Sequence, residues 1–310
     1  MAVAQVRDAR RIGFGNRGAR IARYFWGYTF ISPWLLGFLI FTAYPMVYSA
    51  VIAFSQFDLL TPPRFIGADN FGRMLRDDLF YVALGNTAYY TFLAVPLQVI
   101  LALGLALALN QKLRGINVFR TLFYLPTVTP TVASVVLFVY MFNFDFGFFN
   151  WVTGWFGIPK ISWLGDPLWV KPAFVLMSLW SVGGQMVIFL AGLQSVPIEL
   201  VEAASIDGAG VLRRFWHVTV PMITPVIFFN LVLGIIGSFQ IFTVAFIATG
   251  GGPVYATLFY VLWLYEHAFH NFKMGYAAAV AWVLLGIIML FTLLQFYLGR
   301  KWVYYEAGGR

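Results

Sequence analysis

The sequence predicts an all-α membrane protein of six transmembrane helices, and three observations carry that prediction. The first is composition. Of 310 residues, 61% are hydrophobic and 10% charged, with a mean hydropathy of +0.81, which is more apolar surface than a water-soluble core can hide. The second is a set of six runs without Asp, Glu, Lys or Arg, near 27–54, 81–109, 121–144, 172–195, 221–249 and 274–298. Each is close to or above the ~20 residues a helix needs to cross the hydrocarbon. The third is the distribution of basic residues, since cytoplasmic flanks retain Lys and Arg during insertion. With the N-terminus inside, fourteen of the 20 basic residues fall on the cytoplasmic side, including Arg20, Arg23, Lys112, Arg114, Arg120, Arg213, Arg214, Arg300 and Lys301. Arg64, Arg73, Arg76, Lys160, Lys171 and Lys273 fall outside. Both termini are then cytoplasmic.

In chain order, residues 1–24 are Gly- and Arg-rich and read as a basic cytoplasmic tail. The apolar run after them is about twice as long as a signal peptide's and lacks a clear small-residue cleavage site, so it is expected to remain as the first span. Residues 25–300 then form one transmembrane domain and 301–310 a cytoplasmic C-terminal tail. The first outer loop, near 55–80, opens with Pro62-Pro63, which favours extended backbone, and continues as a short amphipathic surface helix. In span two the alternation of LALGLALALN (101–110) imitates a strand, but a lone strand leaves its backbone unpaired in lipid, so a helix is required. Wound as a helix, Ala102/Ala106 and Gly104/Ala108 give two faces of small residues for close packing. Pro126 and Pro130 bend or break span three. The outer loop after it, rich in Trp and Phe, reads as an aromatic belt at the water boundary.

Several chemistries are excluded. No ionisable side chain lies within the six runs, which argues against proton pumps, proton-coupled carriers and voltage sensors. There is no phosphate-binding G-x-x-x-x-G-K-[ST] loop, and ATGGGPVY (248–255) lacks the lysine, so the chain should not hydrolyse ATP. Glu266, His267 and His270 have one-turn spacing but no fourth group to complete a metal site. No nucleophile elbow is present, and Asp77-Asp78 is the only carboxylate pair, at the surface. The chain should be no enzyme, and with its basic residues at membrane flanks instead of on one folded face, no nucleic-acid binder. With no cysteine, disulfides and thiolate metal sites are excluded.

An uncharged interior suits a neutral polar substrate. Amides and hydroxyls occur in the spans at Asn86, Gln98, Asn143, Ser178, Gln185, Asn230 and Gln240. Each of these also suits helix–helix hydrogen bonding. Aromatic neighbours such as Trp180 and Phe239 could stack on the apolar face of a sugar ring while the amides bond its hydroxyls. The candidate pathway residues are therefore Asn143, Ser178, Trp180, Gln185 and Gln240.

The polar segment between spans four and five, 196–222, is the most informative. Ser195 is placed to cap a helix starting near Pro197, with Glu199 and Glu202 toward its positive end. Leu200, Ala203 and Ala204 share one face. Gly208 and Gly210 should end this helix by the left-handed turn that glycine tolerates. A second helix from about 211 puts Leu212, Phe215 and Trp216 on one side and Arg213 on another, until Pro221 closes it and span five begins.

The residues Glu202-Ala203-Ala204, Asp207-Gly208-Ala209, Phe215, Val218 and Pro221 resemble the EAA loop of permease subunits of binding-protein-dependent ABC importers, in which E-A-A is followed by G and then I-x-L-P at fixed distances. Val218 and Val220 stand in place of the usual Ile and Leu. PWLLGFLIFTAYP, NTAYYTFLAVPL, FRTLFYLPTVTP and FQIFTVAFIATGGGP resemble the carbohydrate-uptake branch, of the maltose or glycerol-phosphate first-permease type. The extra outer domain and spans of the enterobacterial maltose subunit are missing. The resemblance implies the type I ABC importer (MetI-like) permease fold. It implies a heterodimer with a second permease, two copies of a cytoplasmic ABC ATPase that carry the ATP and Mg, and an extracytoplasmic solute-binding protein. It makes 196–222 the element that docks on the ATPase. No cofactor is then expected on this chain. A secondary carrier, or a membrane assembly subunit without a pathway, is the competing reading. The sugar itself is not legible, and a polyol phosphate stays open if a partner supplies positive charge.

Overall fold

The computed structural model describes residues 17–111 and 113–304, with side chains from Tyr24 onward. Arg7, Arg10, Arg11, Lys112 and Arg310, counted above for orientation, lie outside the described residues. Helix α1 (Arg17–Phe38) continues through a π-helical turn at Leu39–Ala43 into α2 (Tyr44–Ala53). Two short antiparallel strands, β1 (Ser55–Gln56) and β2 (Arg64–Phe65), and the surface helix α3 (Asp69–Met74) follow. The amphipathic expectation for this loop is met by α3, which buries Asn70 and Met74 and exposes an ion pair between Arg73 and Asp69 at 2.6 Å.

The central helix is α4 (Asp78–Leu109), started by Asp77, whose carboxylate accepts from Leu79 N at 2.9 Å. Its far end is closed from another element, by the Arg120 guanidinium, which donates twice to the Leu109 carbonyl, at 2.8 and 3.2 Å. Of the two small-residue faces in α4, Ala102 and Ala106 are fully buried, whereas Gly104 and Ala108 are exposed.

Span three is two helices, α5 (Ile116–Val128) and α6 (Thr131–Met141), meeting at 97° across Thr129-Pro130. A surface helix, α7 (Phe148–Trp155), stands in the aromatic loop. Span four was expected to be continuous but is also broken: α8 (Val170–Leu179) and α9 (Gly183–Gln194) meet at 48° around Trp180-Ser181-Val182. The physical reason is the low helix propensity of Gly183-Gly184 together with a partner from α5 that satisfies the freed backbone. Because α8 starts at Val170, Lys171 belongs to this span and not to a loop beside it.

After α10 (Ile198–Ile206) and α11 (Val211–Arg214), a π-helical turn at Phe215–Thr219 leads into α12 (Val220–Phe239). Here the expected boundary at Pro221 is corrected, because Val211–Phe239 is one continuous helix of 29 residues. The π turn, in which Val220 N reaches back to the Phe215 carbonyl, brings the chain to Pro221 without interrupting the rod. Four residues later Pro225 again lacks an N–H, and the Thr224 hydroxyl donates to the Pro221 carbonyl that it leaves free, at 2.7 Å. The span also ends earlier than expected, at Gln240. A separate helix α13 (Thr243–Ala248), helix α14 (Tyr260–Tyr265) with a π turn at Glu266–His270, and the last span α15 (Met274–Gly299) complete the chain. Residues 301–304 fold back on α12: Tyr304 N donates to Thr224 Oγ1 at 2.9 Å, and Trp302 meets Phe228 edge-on.

Among the described residues, four helices are thus long and apolar enough to cross a bilayer, and the two bent pairs bring the total to six. Two larger cores hold them together, and a small third one, Ala53 with Ala278 and Ala279, packs α2 on α15. Around the N-terminal halves of α4 and α8 the core is aromatic, with Phe138, Phe142, Phe174, Phe239, Phe259, Tyr260 and Trp263 buried. Toward α10 it is aliphatic, with Val95, Val99, Ala102, Met186, Leu193 and Ile223.

Candidate substrate cavity and coupling loop

The breaks in spans three and four face each other, and a cavity of about 390 Å³ opens between them. Its lining comes from α4 (Tyr90, Gln98), from the α5–α6 break (Pro126, Thr127, Thr129, Thr131, Ser134), from the α8–α9 break (Ser178, Trp180, Ser181, Gln185) and from α12 (Leu233, Gly234, Gly237, Ser238). Phe138 and Phe174 supply its apolar wall. No charged side chain is among its lining residues. A broken helix exposes backbone N–H and C=O groups only where a cavity or a neighbour satisfies them, so the double break and the polar lining belong together.

Three of the five residues singled out in the sequence line this cavity. The Ser178 hydroxyl donates to the Val175 carbonyl at 2.6 Å, so its oxygen can still accept. The Trp180 ring is 47% exposed and held edge-on by Phe138 at 5.9 Å. The Gln185 Oε1 atom is buried and has no hydrogen-bond partner among the described residues. The other two residues stand elsewhere. The Asn143 carboxamide oxygen accepts from the Asp145 and Phe146 amides at 2.9 and 3.3 Å, shaping the turn after α6. Gln240 is the exposed C-cap residue of α12. Phe239 is 1% exposed and packs on Phe291, so it offers no face for stacking. Of the other amides, Asn86 is spent on structure. It donates to the Tyr255 and Leu258 carbonyls at 2.8 and 3.1 Å and accepts from Lys171 Nζ at 2.9 Å.

Sequence reasoning missed the hydroxyls of Thr127, Thr129, Thr131 and Ser134. The signal that finds them is their interleaving with Pro126 and Pro130, since a proline-broken span must place its polar groups where backbone is free.

At the end of the bundle beyond the aliphatic core, α10 carries Glu202, Ala203 and Ala204, and none of its residues is buried. Asp207 is its C-cap residue, and Gly208 follows with φ +77°. Ala209 N donates to the Ala204 carbonyl at 2.9 Å and Gly208 N to the Ser205 carbonyl at 3.1 Å, a Schellman closure that requires the left-handed residue. Gly210 was expected to share that role but is extended, at φ −66° and ψ 167°, and caps the start of α11 instead. Ser195 does not cap α10 either: its hydroxyl donates to the Gly192 carbonyl at 2.8 Å, closing α9, and the N-cap position is Pro197. Phe215 meets Trp216 edge-on at 5.1 Å, and Pro221 lies just past the π turn. Ile206, Val211, Leu212 and Trp216 are 63–86% exposed, so the loop presents an apolar surface beside the exposed Glu202 carboxylate. The one ion pair among the described residues is Arg73–Asp69.

His267 and His270 lie on the π turn after α14. The His267 ring stands edge-on to Trp263 and Tyr276 at 5.0 and 4.8 Å, and burial lowers its pKa, aided by Lys273 and opposed by Asp77. Among the described residues there is no cluster of three metal-binding side chains.

Residues 98–304 match the family described as "Binding-protein-dependent transport system inner membrane component". The chain is 43% identical over 285 residues to the "Probable ABC transporter permease protein YesP" of Bacillus subtilis (strain 168), spanning 91% of this chain and 92% of that one. It is 32% identical to the "Trehalose/maltose transport system permease protein MalF" of Thermococcus litoralis, over 88% and 93% of the two chains. Its fold is similar to a chain of a bacterial ABC transporter that imports the acidic polysaccharide alginate, with TM-score 0.81 at 23% identity, covering 92% of this chain and 98% of the other.

Proposed function

Given that this chain belongs to the family of inner membrane components of binding-protein-dependent transport systems, and is therefore a permease subunit of an ABC transporter without a catalytic centre of its own, we propose that it carries a sugar or related polyol through the membrane by alternating access. The observation that carries the substrate class is the cavity: it is uncharged, rich in hydroxyls, walled by aromatic rings and lined by the Gln98 and Gln185 side chains. Aromatic faces suit the C–H face of a saccharide and the hydroxyls and amides suit its rim. The trehalose/maltose assignment of a relative at 32% identity supports the same class.

In this reading the cavity is half of a pathway whose other half is a second permease. The stretch Tyr24–Ala53, which has no buried residue in its most apolar window, and the exposed Gly104/Ala108 face support a protein or lipid neighbour. An extracytoplasmic binding protein delivers the sugar, and two copies of a cytoplasmic ATPase, which hold the ATP and Mg, drive the cycle. Segment 196–222 docks on that ATPase through Glu202, Ala203, Ala204, Asp207, Gly208, Ala209 and Phe215, with both termini on the same cytoplasmic side. The basic tails 1–24 and 301–310 flank the transmembrane domain 25–300. The exposed apolar rim around Glu202 supports this docking, because an uncovered surface of that kind marks an interaction site.

The test is reconstitution of the co-purified complex in proteoliposomes with a sugar panel. Gln185→Ala should raise the KM for uptake, and Glu202→Lys should leave insertion intact while uptake per ATP hydrolysed collapses. Wild-type uptake in both variants, or transport by this chain alone under an ion gradient, would overturn the proposal.

A further inference from the structure

We propose that Thr127 is the positioning residue that fastens the two broken spans to one another, so that both walls of the cavity move as one. The inference rests on the permease reading above and adds a mechanical device to it. Thr127 lies on α5 two residues before the 97° bend of span three. Its hydroxyl accepts from Gly184 N at 3.1 Å and donates to the Ser181 carbonyl at 3.4 Å, so it bonds a residue of the break in span four and one in the first turn of α9. These are the backbone groups that the break releases from the α8–α9 ladder, and a hydroxyl is the smallest side-chain group able to serve a donor and an acceptor together.

The approach is close because Gly183 permits it. A Cβ there would overlap the Phe123 carbonyl oxygen and stand 2.8 Å from Thr127 Oγ1 and 2.9 Å from Tyr124 Cα. The contact is therefore backbone against backbone, with the threonine as its polar pin. Ser181, Trp180 and Gln185 on one side of the pin and Pro126 and Thr129 on the other all line the cavity. Movement at either break displaces the groups that meet the sugar. Two neutral hydrogen bonds, one near the length limit, are weak enough to be remade during a transport cycle.

The substitutions that separate this role from packing are Thr127→Val, which keeps the branched shape and removes the hydroxyl, and Thr127→Ser, which keeps the hydroxyl and removes the methyl group. In the reconstituted complex Thr127→Val should raise both the sugar KM and the ATP hydrolysed per sugar moved by about tenfold, as expected for two lost hydrogen bonds, and Thr127→Ser should restore both to within about twofold. A second readout is independent of transport. The chain has no cysteine, so spin labels can be placed singly at the exposed positions Val136 on α6 and Val187 on α9. Thr127→Val should broaden the distance distribution between them, and Thr127→Ser should not. Unchanged KM and stoichiometry in Thr127→Val, a proportional fall of uptake and ATPase at constant KM, or equal failure of Val and Ser would overturn the proposal. A wild-type complex that moves no sugar overturns the permease reading, and the label distances then decide the fate of the pin.

Discussion

Replacing Asn86 by leucine tests how the far end of the bundle is held. Asn86 is 6% exposed and makes three hydrogen bonds, two to the carbonyls of Tyr255 and Leu258 and one from the Lys171 ammonium. It thereby ties α4 to α8 and to the loop before α14. Leucine of similar volume removes all three. At ~1 kcal/mol for each neutral bond and ~2 kcal/mol for the charge-assisted one, the loss is about 4 kcal/mol, or a factor near a thousand in the folded population. Lys171→Met alone should cost about 2 kcal/mol, and the double variant should fall short of the sum by about the same amount, since both changes remove one shared bond. The assay is reversible unfolding in mixed micelles followed by the fluorescence of the 11 tryptophans. Additive single effects, or a loss below ~1 kcal/mol for Asn86→Leu, would refute the reasoning.

Gly208→Val forces a β-branched residue to φ +77° where a Cβ meets nothing within 4 Å, so its effect is conformational. At ~1–2 kcal/mol or more for a left-handed residue, coupled uptake should fall about tenfold, with Gly208→Asn close to wild type; equal uptake in the two variants would exclude the turn from coupling. Arg120→Met leaves the Leu109 carbonyl without its two donors, and hydrogen exchange in the last turn of α4 should accelerate about tenfold or more while the first turns stay unchanged. His267 has a folded pKa below its ordinary 6.5, so its contribution to stability is present above pH 6.5 and is lost as pH falls toward the folded value. His267→Gln should flatten that acid limb of the unfolding curve.

The helices legible in the sequence were those whose ends are locally encoded. The last span carries no charge from Met274 to its end, whereas the start of α4 at Asp77-Asp78 was read only as a surface carboxylate pair. Span four was misread because Gly183-Gly184 in an apolar run is equally consistent with tight packing of an intact helix; the backbone groups freed there are bonded by Thr127, more than fifty residues away. Pro221 was misread for the opposite reason, because a local rule for helix ends was overridden by a π turn that a one-residue pattern cannot show. At the cavity, Ser178, Trp180 and Gln185 stood out as polar or amphipathic residues in an apolar run. Asn143 and Gln240 had the same signature but serve a turn and a helix end. In 196–222 the end of α10 was legible, since Gly208 takes the expected left-handed turn, whereas Ser195, Gly210 and Pro221 take other places than local rules gave them.

The union of α11, its π turn and α12 has a mechanical consequence. A helix of 29 residues is about 43 Å long, so a tilt of ~10° at one end carries the other through about 7 Å. Spans three and four bend in the middle, whereas this helix runs from the loop at Val211 to Ser238 beside the cavity without a break. In the proposed transport cycle, a displacement of that size at the cavity would be comparable to the width of a sugar ring.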